Sequence, residues 1–445
     1  DGQLSSCTRY EPPMLTIADN RTEVSCDRWD YDREAGASII IEFDLVCERK
    51  WLLRALQGVY IGGGALLLPV MGSLADSYGR RLVLGLTLFG LIVSVMVTSM
   101  VKTLLEFGLL QHLTSASVTT FEAISTVMLF EVTPQDHRML LCSINVGVPL
   151  VLGPLTLGLI GRFFVHWAAM QLVMVSPTLL LLLTFYLTDE SPRWLMASWK
   201  FKEAEQVIIR VAYVNGLQDL EKVRFEFTKI KGEVVSRQGF GAKPNVFGII
   251  KSTTMRTRSV ILFGSWFVVF YCYLSISQYR SVRGDAITFH TMIGTANLFT
   301  LTTNYFVLKG YGHRKPMSVY MLVLSIMMTF LATLILREMH LAFAGFVLPT
   351  VFMAEVTFAT LFVFTVELFP TAGRSAGVCG AFFFGRIGGV ASSLLNGFEL
   401  LVPPKDTAVP IFIGAVGLLA LGLLCLRLPE TVVVSGINDV QQLQE

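Results

Sequence analysis

The chain has 445 residues, of which 53% are hydrophobic and 15% charged, against about 25% charged in soluble domains. So few charges cannot clothe a water-facing surface, which excludes an ordinary soluble domain. A net charge of +2 gives no electrostatic case for a nucleic-acid partner.

Residues 1–50 are polar and contain Cys7, Cys26 and Cys47 together with the sequon Asn20-Arg21-Thr22. Asn20 is therefore a candidate glycosylation site, and the three cysteines are disulfide candidates in an oxidised, extracellular segment. The other four of the seven cysteines, Cys142, Cys272, Cys379 and Cys425, sit in apolar runs as small packing residues.

Apolar segments follow at 51–73, 82–101, 103–130, 140–161, 168–188, 259–279, 286–308, 317–336, 340–364, 375–400 and 409–428. A membrane-spanning helix needs about 20 apolar residues to cross about 30 Å of hydrocarbon, so these predict eleven spans. Basic residues gather in alternate connections: Arg80 and Arg81, then His137 and Arg138, then 190–258, then Lys309, Arg314 and Lys315, then Arg374, and finally Arg427. The positive-inside rule makes those connections cytoplasmic and residues 1–50 extracellular. Segment 51–189 is then the first half of the bundle, 190–258 a cytoplasmic helical loop, 259–430 the second half with six helices, and 431–445 a cytoplasmic tail. Within the loop, Ala204, Val207, Ile208 and Val211 have helical spacing and predict an amphipathic helix over 202–213.

The halves repeat each other. Glu131-x-x-Pro134-x-x-x-Arg138 recurs as Glu367-x-x-Pro370-x-x-x-Arg374. Upstream of each stands a glycine and basic turn, Gly72 to Arg81 with Asp76, Gly79 and Arg80 in one half and Gly312-His313-Arg314 in the other. Downstream come Glu190-Ser-Pro-Arg193 and Pro429-Glu430. All these landmarks fall on the predicted cytoplasmic side, so the halves share one orientation, the parallel relation of the two major facilitator halves. The first half is one helix short in this alignment, a span that would precede residue 1. The landmark charges Asp76, Arg80, Arg81, Glu131, Arg138, Glu190, Arg193, Arg314, Glu367, Arg374 and Glu430, with Gly79, are the candidate cytoplasmic gate, a lock that forms in one state of a rocking carrier and breaks in the other.

These residues resemble the organic-ion transporter family of the major facilitator superfamily, which contains organic cation, organic anion and carnitine transporters. The resemblance lies in Cys26-Asp-Arg-Trp29-Asp-Tyr31 with Glu42-Phe-Asp44-Leu-Val-Cys47, in Gly72 to Arg81, in Glu190-Ser-Pro-Arg-Trp-Leu195, and in Glu367-Leu-Phe-Pro-Thr371 with Arg374. It implies an all-α membrane fold of two six-helix halves, twelve helices in the family and eleven here, a glycosylated outer loop, and a central cavity reached alternately from each side. Gln111 and His313 depart from the basic residues that the family has at the matching places.

Three ionisable residues fall inside spans, where a charge costs at least about 2.5–3.5 kcal/mol and is by default functional. Arg386 lies about 18 Å along its helix from Arg374, Glu355 reaches a similar depth on the preceding helix, and Glu122 lies about 13 Å in from Glu131. The resemblance implies that Arg386, in Phe384-Gly-Arg386-Ile-Gly388-Gly389, marks an anion or zwitterion carrier, where cation carriers have an acidic residue. A guanidinium suits a carboxylate or sulfate, and the structural alternative is an Arg386 to Glu355 ion pair. Tyr273, Tyr271 and Phe383, with Trp266, Phe267, Phe382 and Phe384, are the aromatic candidates for the apolar body of an organic ion. The candidate substrate-binding set is thus Arg386, Glu355, Tyr273, Tyr271, Glu122 and Phe383.

No residue spacing supports enzyme chemistry, a metal site or a cofactor. The expected partners are a small organic ion and the lipid bilayer, with no nucleic acid and with the coupling ion or counter-substrate unspecified. Organic anions or zwitterions are the first reading of the substrate. Organic cations held by Glu355 or Glu122 are the second, and a non-transporting receptor or scaffold, motivated by Gln111 and His313, is the third.

Overall fold

The computed structural model describes residues 7–11, 22–31, 37–164, 166–238, 253–280, 286–397 and 408–430. Asn20, the segment 239–252 and the tail 431–445 lie outside the described residues.

The outer segment holds a feature that the all-α reading did not include. Thr8–Glu11 (β1) and Thr22–Ser25 (β2) pair antiparallel, with Thr8 opposite Ser25 and Glu11 opposite Thr22. Cys7 is bonded to Cys47, while Cys26, whose backbone N–H donates to Cys7 O at 3.0 Å, is a free thiol. Of the three disulfide candidates, then, Cys26 is left out. A short helix, Ile39–Glu42 (α1), leads into Phe43 and Leu45, which are buried against Phe107 and Trp167.

The first half contains Trp51–Tyr78 (α2), Arg80–Thr98 (α3), Leu104–Val132 (α4), Gln135–Phe163 (α5), and the pair Trp167–Val175 (α6) and Thr178–Leu187 (α7). The last predicted span is broken in two at Pro177, whose ring removes a backbone donor. Helix α4 starts on a capping box in which Thr103 and Glu106 satisfy each other's backbone amides.

Pro192–Ala197 (α8), Phe201–Val214 (α9) and Leu220–Gln238 (α10) form the intervening loop. Ala204 and Phe227 are buried with Trp194 and Leu195, and Val207 and Ile208 pack beside them. Val211 is exposed, so the packed stripe is narrower than the spacing predicted.

The second half contains Thr253–Arg280 (α11), Ala286–Tyr311 (α12), Arg314–Leu336 (α13), His340–Leu368 (α14), Arg374–Gly397 (α15) and Ala408–Cys425 (α16). Within the described residues each of the eleven predicted spans falls on helix, and ten are long and apolar enough to cross a membrane, α12 not being one of them. Matching Glu131 with Glu367 pairs α2 with α12, α3 with α13, α4 with α14 and α5 with α15. Helix α11 has no mate among the described residues of the first half.

The halves meet mainly where α2 packs on α15 and α5 packs on α12. These two seams exchange under the repeat. On the first seam, a Cβ at Gly72 would collide with Cys379 Cβ and Ser375 O, so glycine is what allows α2 and α15 to touch. Arg80, Arg138, Arg314 and Arg374 all lie at one end of the bundle, called here the basic end.

Candidate functional site: a charged gate and an interior arginine

At the basic end, Gly79 joins α2 to α3 with φ +118°, a conformation that costs little only for glycine. The turn sets Asp76 and Arg80 side by side, with Arg80 Nη2 3.0 Å from Asp76 Oδ1. The Asp76 carboxylate accepts hydrogen bonds from the backbone N–H groups of Ser375 (3.3 Å) and Ala376 (2.8 Å) in the first turn of α15. Those amides have no partner inside the helix and carry its positive end, so a carboxylate is the fitting cap.

Arg80 Nη2 also donates to Glu131 Oε1 (3.2 Å) and to Thr371 O (2.9 Å). Arg374 Nη1 reaches the same Glu131 oxygen at 3.1 Å, while its Nε donates to Val366 O (3.1 Å) and Phe369 O (3.0 Å). All four charged side chains are buried. Two cations and two carboxylates from opposite halves are thus sealed together, an arrangement that is costly to break by removing one partner. Trp194 of α8 braces it, donating Nε1 to Asp76 O at 2.8 Å and facing Arg80.

The second half repeats the turn but not the lock. Gly312 has φ +75°, and Glu430 Oε1 accepts from His313 N (2.8 Å) and Arg314 N (3.4 Å), as Glu190 Oε2 accepts from Arg81 N (3.0 Å). Arg314 Nε lies 4.0 Å from Glu430 Oε2. Glu367 Oε2, however, faces His313 Nδ1 at 3.2 Å. Arg138 is buried over the Phe130 ring at 4.2 Å, donates to Thr133 O (3.4 Å), and feels Arg193, Arg374 and Glu367 only through space. The place of Asp76 is taken by Lys309, which is exposed and 3.4 Å from Tyr305 Oη.

Helix starts explain the asymmetry. After Pro134, α5 begins at once with Gln135, so the amides beyond Arg138 are already inside a helix. After Pro370, a 3-10 turn over Thr371–Gly373 intervenes and α15 begins at Arg374, which leaves Ser375 N and Ala376 N open.

Inside the bundle, Arg386 is half-buried and its Nη2 donates to Thr119 Oγ1 at 2.6 Å. The guanidinium stands 5.4 Å from the Phe270 ring centroid, and its buried Nε has no hydrogen-bond partner. A Cβ on Gly64 would crowd Thr119 Oγ1 and that Nε, so Gly64 makes room for the arginine. The carboxylate that acts on Arg386 through space is Glu122, half-buried one turn along α4 from Thr119. Glu355 is buried and accepts from Tyr273 Oη at 3.4 Å. Among the described residues Arg386 forms no ion pair, so the Arg386 to Glu355 pair considered from sequence is absent.

Other candidates are placed elsewhere. Tyr271 is buried and donates to Pro410 O at 2.9 Å, tying α11 to α16. Trp266 is fully buried among Phe358, Phe362 and Phe382 and donates to Thr365 Oγ1 at 2.8 Å. Phe383 is half-buried, edge-on to Phe384. Sequence reasoning missed Thr119 and Phe270; the first was detectable three residues before Glu122 on the same helix face.

The family model described as "Sugar (and other) transporter" matches residues 47–438. Solute carrier family 22 member 6-A of Xenopus laevis is 25% identical over 452 residues, covering 97% of this chain and 78% of that protein. Human solute carrier family 22 member 13 is 26% identical over 451 residues, covering 97% and 77%. The structure of the proton:xylose symporter XylE bound to 6-bromo-6-deoxy-D-glucose superposes with a TM-score of 0.66 at 20% identity over 86% of each chain, a likeness of fold. The chain belongs to the sugar (and other) transporter family, is a multi-pass membrane transporter with the major facilitator fold, and has relatives in solute carrier family 22, the organic-ion carriers that its motifs resemble.

Proposed function

We propose that this protein moves small organic anions or zwitterions across the plasma membrane by alternating access, with Arg386 binding the negative charge of the substrate. The observation that carries the reading is the state of Arg386. It is a guanidinium halfway along a span, held by a neutral hydroxyl and an aromatic face, with its Nε making no hydrogen bond. Leaving a cation so little compensated at that depth is costly, and a bound anion supplies what the protein does not. Glu122 favours the zwitterion, because it can face a substrate cation while Arg386 takes the carboxylate.

In this reading the basic end is cytoplasmic by the positive-inside rule, and the buried network of Asp76, Arg80, Glu131 and Arg374 is the closed inner gate. Rocking of the halves about the α2 and α15 seam then breaks and remakes it. The test is uptake of a panel of labelled organic ions by cells expressing the chain and its Arg386→Ala variant at equal surface level. Anion uptake lost in the variant supports the proposal, and anion uptake unchanged refutes it. The cation reading rests on Glu122, whose charge acts on Arg386 through space. Competition by quaternary ammonium compounds and not by carboxylates would establish it instead.

A further inference from the structure

A cationic cavity lies at the basic end of the second half, outside the buried network of Asp76, Arg80, Glu131 and Arg374 and away from Arg386. It has a volume of about 470 Å³ and is lined by Arg258, Arg314 and Arg427 with Thr253, Thr254 and Thr257, and no lining residue is acidic. Three helix ends converge there: the start of α11 at Thr253, the start of α13 at Arg314, and the chain two residues beyond the end of α16. The first turn of α11 carries no acidic residue to offset its positive end. Because these are the ends of spans, the cavity sits at the depth of lipid headgroups.

Two of the arginines keep guanidinium donors available to a ligand. Arg427 is exposed, and its guanidinium makes no hydrogen bond or ion pair among the described residues, the backbone N–H alone donating to Leu424 O at 2.9 Å. Arg314 donates Nη1 to Leu428 O at 3.4 Å and keeps its Nε without a hydrogen bond, with Glu430 Oε2 at 4.0 Å. Three guanidinium groups match a multivalent oxyanion far better than a monocarboxylate, since each presents a planar fork of donors. Basic pockets between spans on the cytoplasmic side are the places where phosphorylated headgroups bind.

We propose that this cavity is a phosphate-binding site, occupied by the phosphate groups of an anionic ligand and distinct from the substrate path. The ligand is either a phosphorylated headgroup of the facing leaflet or a soluble phosphate. The test uses the full chain in phosphatidylcholine nanodiscs and reads its thermal unfolding midpoint at constant ionic strength. Dioctanoyl phosphatidylinositol bisphosphate and inorganic phosphate are titrated separately, with dioctanoyl phosphatidylcholine and chloride as controls.

The expected result is a saturable upward shift whose half-saturating concentration rises at least tenfold in Arg427→Gln and in Arg258→Gln. A response to the lipid alone identifies a headgroup site, and a response to inorganic phosphate identifies a soluble ligand. No shift above the controls with either probe, or equal responses in wild type and Arg427→Gln, overturns the proposal. Arg427 has no structural partner to lose, so its replacement leaves the fold intact. Arg386→Ala retains the response, which separates the fate of this site from that of the transport reading.

Discussion

Arg374 Nη1 lies 3.1 Å from Glu131 Oε1 across the boundary between the halves, and Arg80 Nη2 shares that oxygen from the other side at 3.2 Å. One carboxylate therefore holds its own half and its opposite together. Replacing Glu131 by Gln removes the buried carboxylate that both guanidinium groups share, a change that costs about 3–5 kcal/mol even though Arg80 keeps Asp76. In the proposed gate the closed state bears that loss, so the basic end should open more often. Cys379 is a built-in reporter, fully buried opposite Gly72 on the seam. Its alkylation by a permeant maleimide, followed by mass spectrometry, should rise several-fold in Glu131→Gln. An unchanged rate would mean that this network does not hold the seam closed.

Arg374→Lys separates charge from geometry. Lysine keeps the cation but cannot donate to Val366 O and Phe369 O while also reaching Glu131. The freed carbonyls are buried, so the variant should lose about 1–3 kcal/mol. A lower thermal unfolding midpoint in detergent is the expected readout, and a midpoint equal to wild type would show that charge alone suffices.

Most of the buried network at the basic end was legible in the sequence because its landmarks are written twice. The spacing from Glu131 to Arg138 and from Glu367 to Arg374 fixed the matching helices, and positive-inside charge fixed their common end. What the repeat concealed was its own failure: it predicts a mirrored lock, whereas Lys309 stands in the place of Asp76 and α5 starts too early to offer open amides. Helix starts depend on backbone geometry after each proline, which no residue spacing records. The interior was less legible. Depth along a helix located Arg386, Glu122 and Glu355, but which carboxylate faces the arginine depends on how α4 and α14 are rotated. Tyr271 read as a cavity aromatic because the acceptor of its hydroxyl, Pro410 O, sits on a helix more than a hundred residues away.

The two turn glycines give a paired test of the repeat. Alanine at Gly79 or Gly312 meets a positive φ and collides with Glu190 or Glu430 respectively. Each should lose about 1–2 kcal/mol from backbone strain alone, while Gly153→Ala, with open space around its Cβ, should serve as a neutral control. Thermal unfolding of the three variants checks this. Equal behaviour of Gly79→Ala and Gly153→Ala would contradict the turn geometry.

Gly64 and Gly62 are neighbours on α2 with different surroundings. A Cβ at Gly64 would press on Thr119 Oγ1 and Arg386 Nε, whereas one at Gly62 would meet Val390 at an ordinary 3.7 Å. Gly64→Val should therefore reduce uptake at least tenfold at unchanged surface level, and Gly62→Ala should leave it near wild type. Similar uptake by the two variants would remove Gly64 from the site.

The most direct test reverses the charge at Arg386. Surface-normalised uptake of a labelled organic carboxylate and of a labelled quaternary ammonium compound is measured side by side in wild type and Arg386→Glu. If Arg386 binds the substrate's negative charge, carboxylate uptake falls at least tenfold in the variant while any quaternary ammonium uptake is retained or increased. Carboxylate uptake undiminished by the reversal would contradict the account.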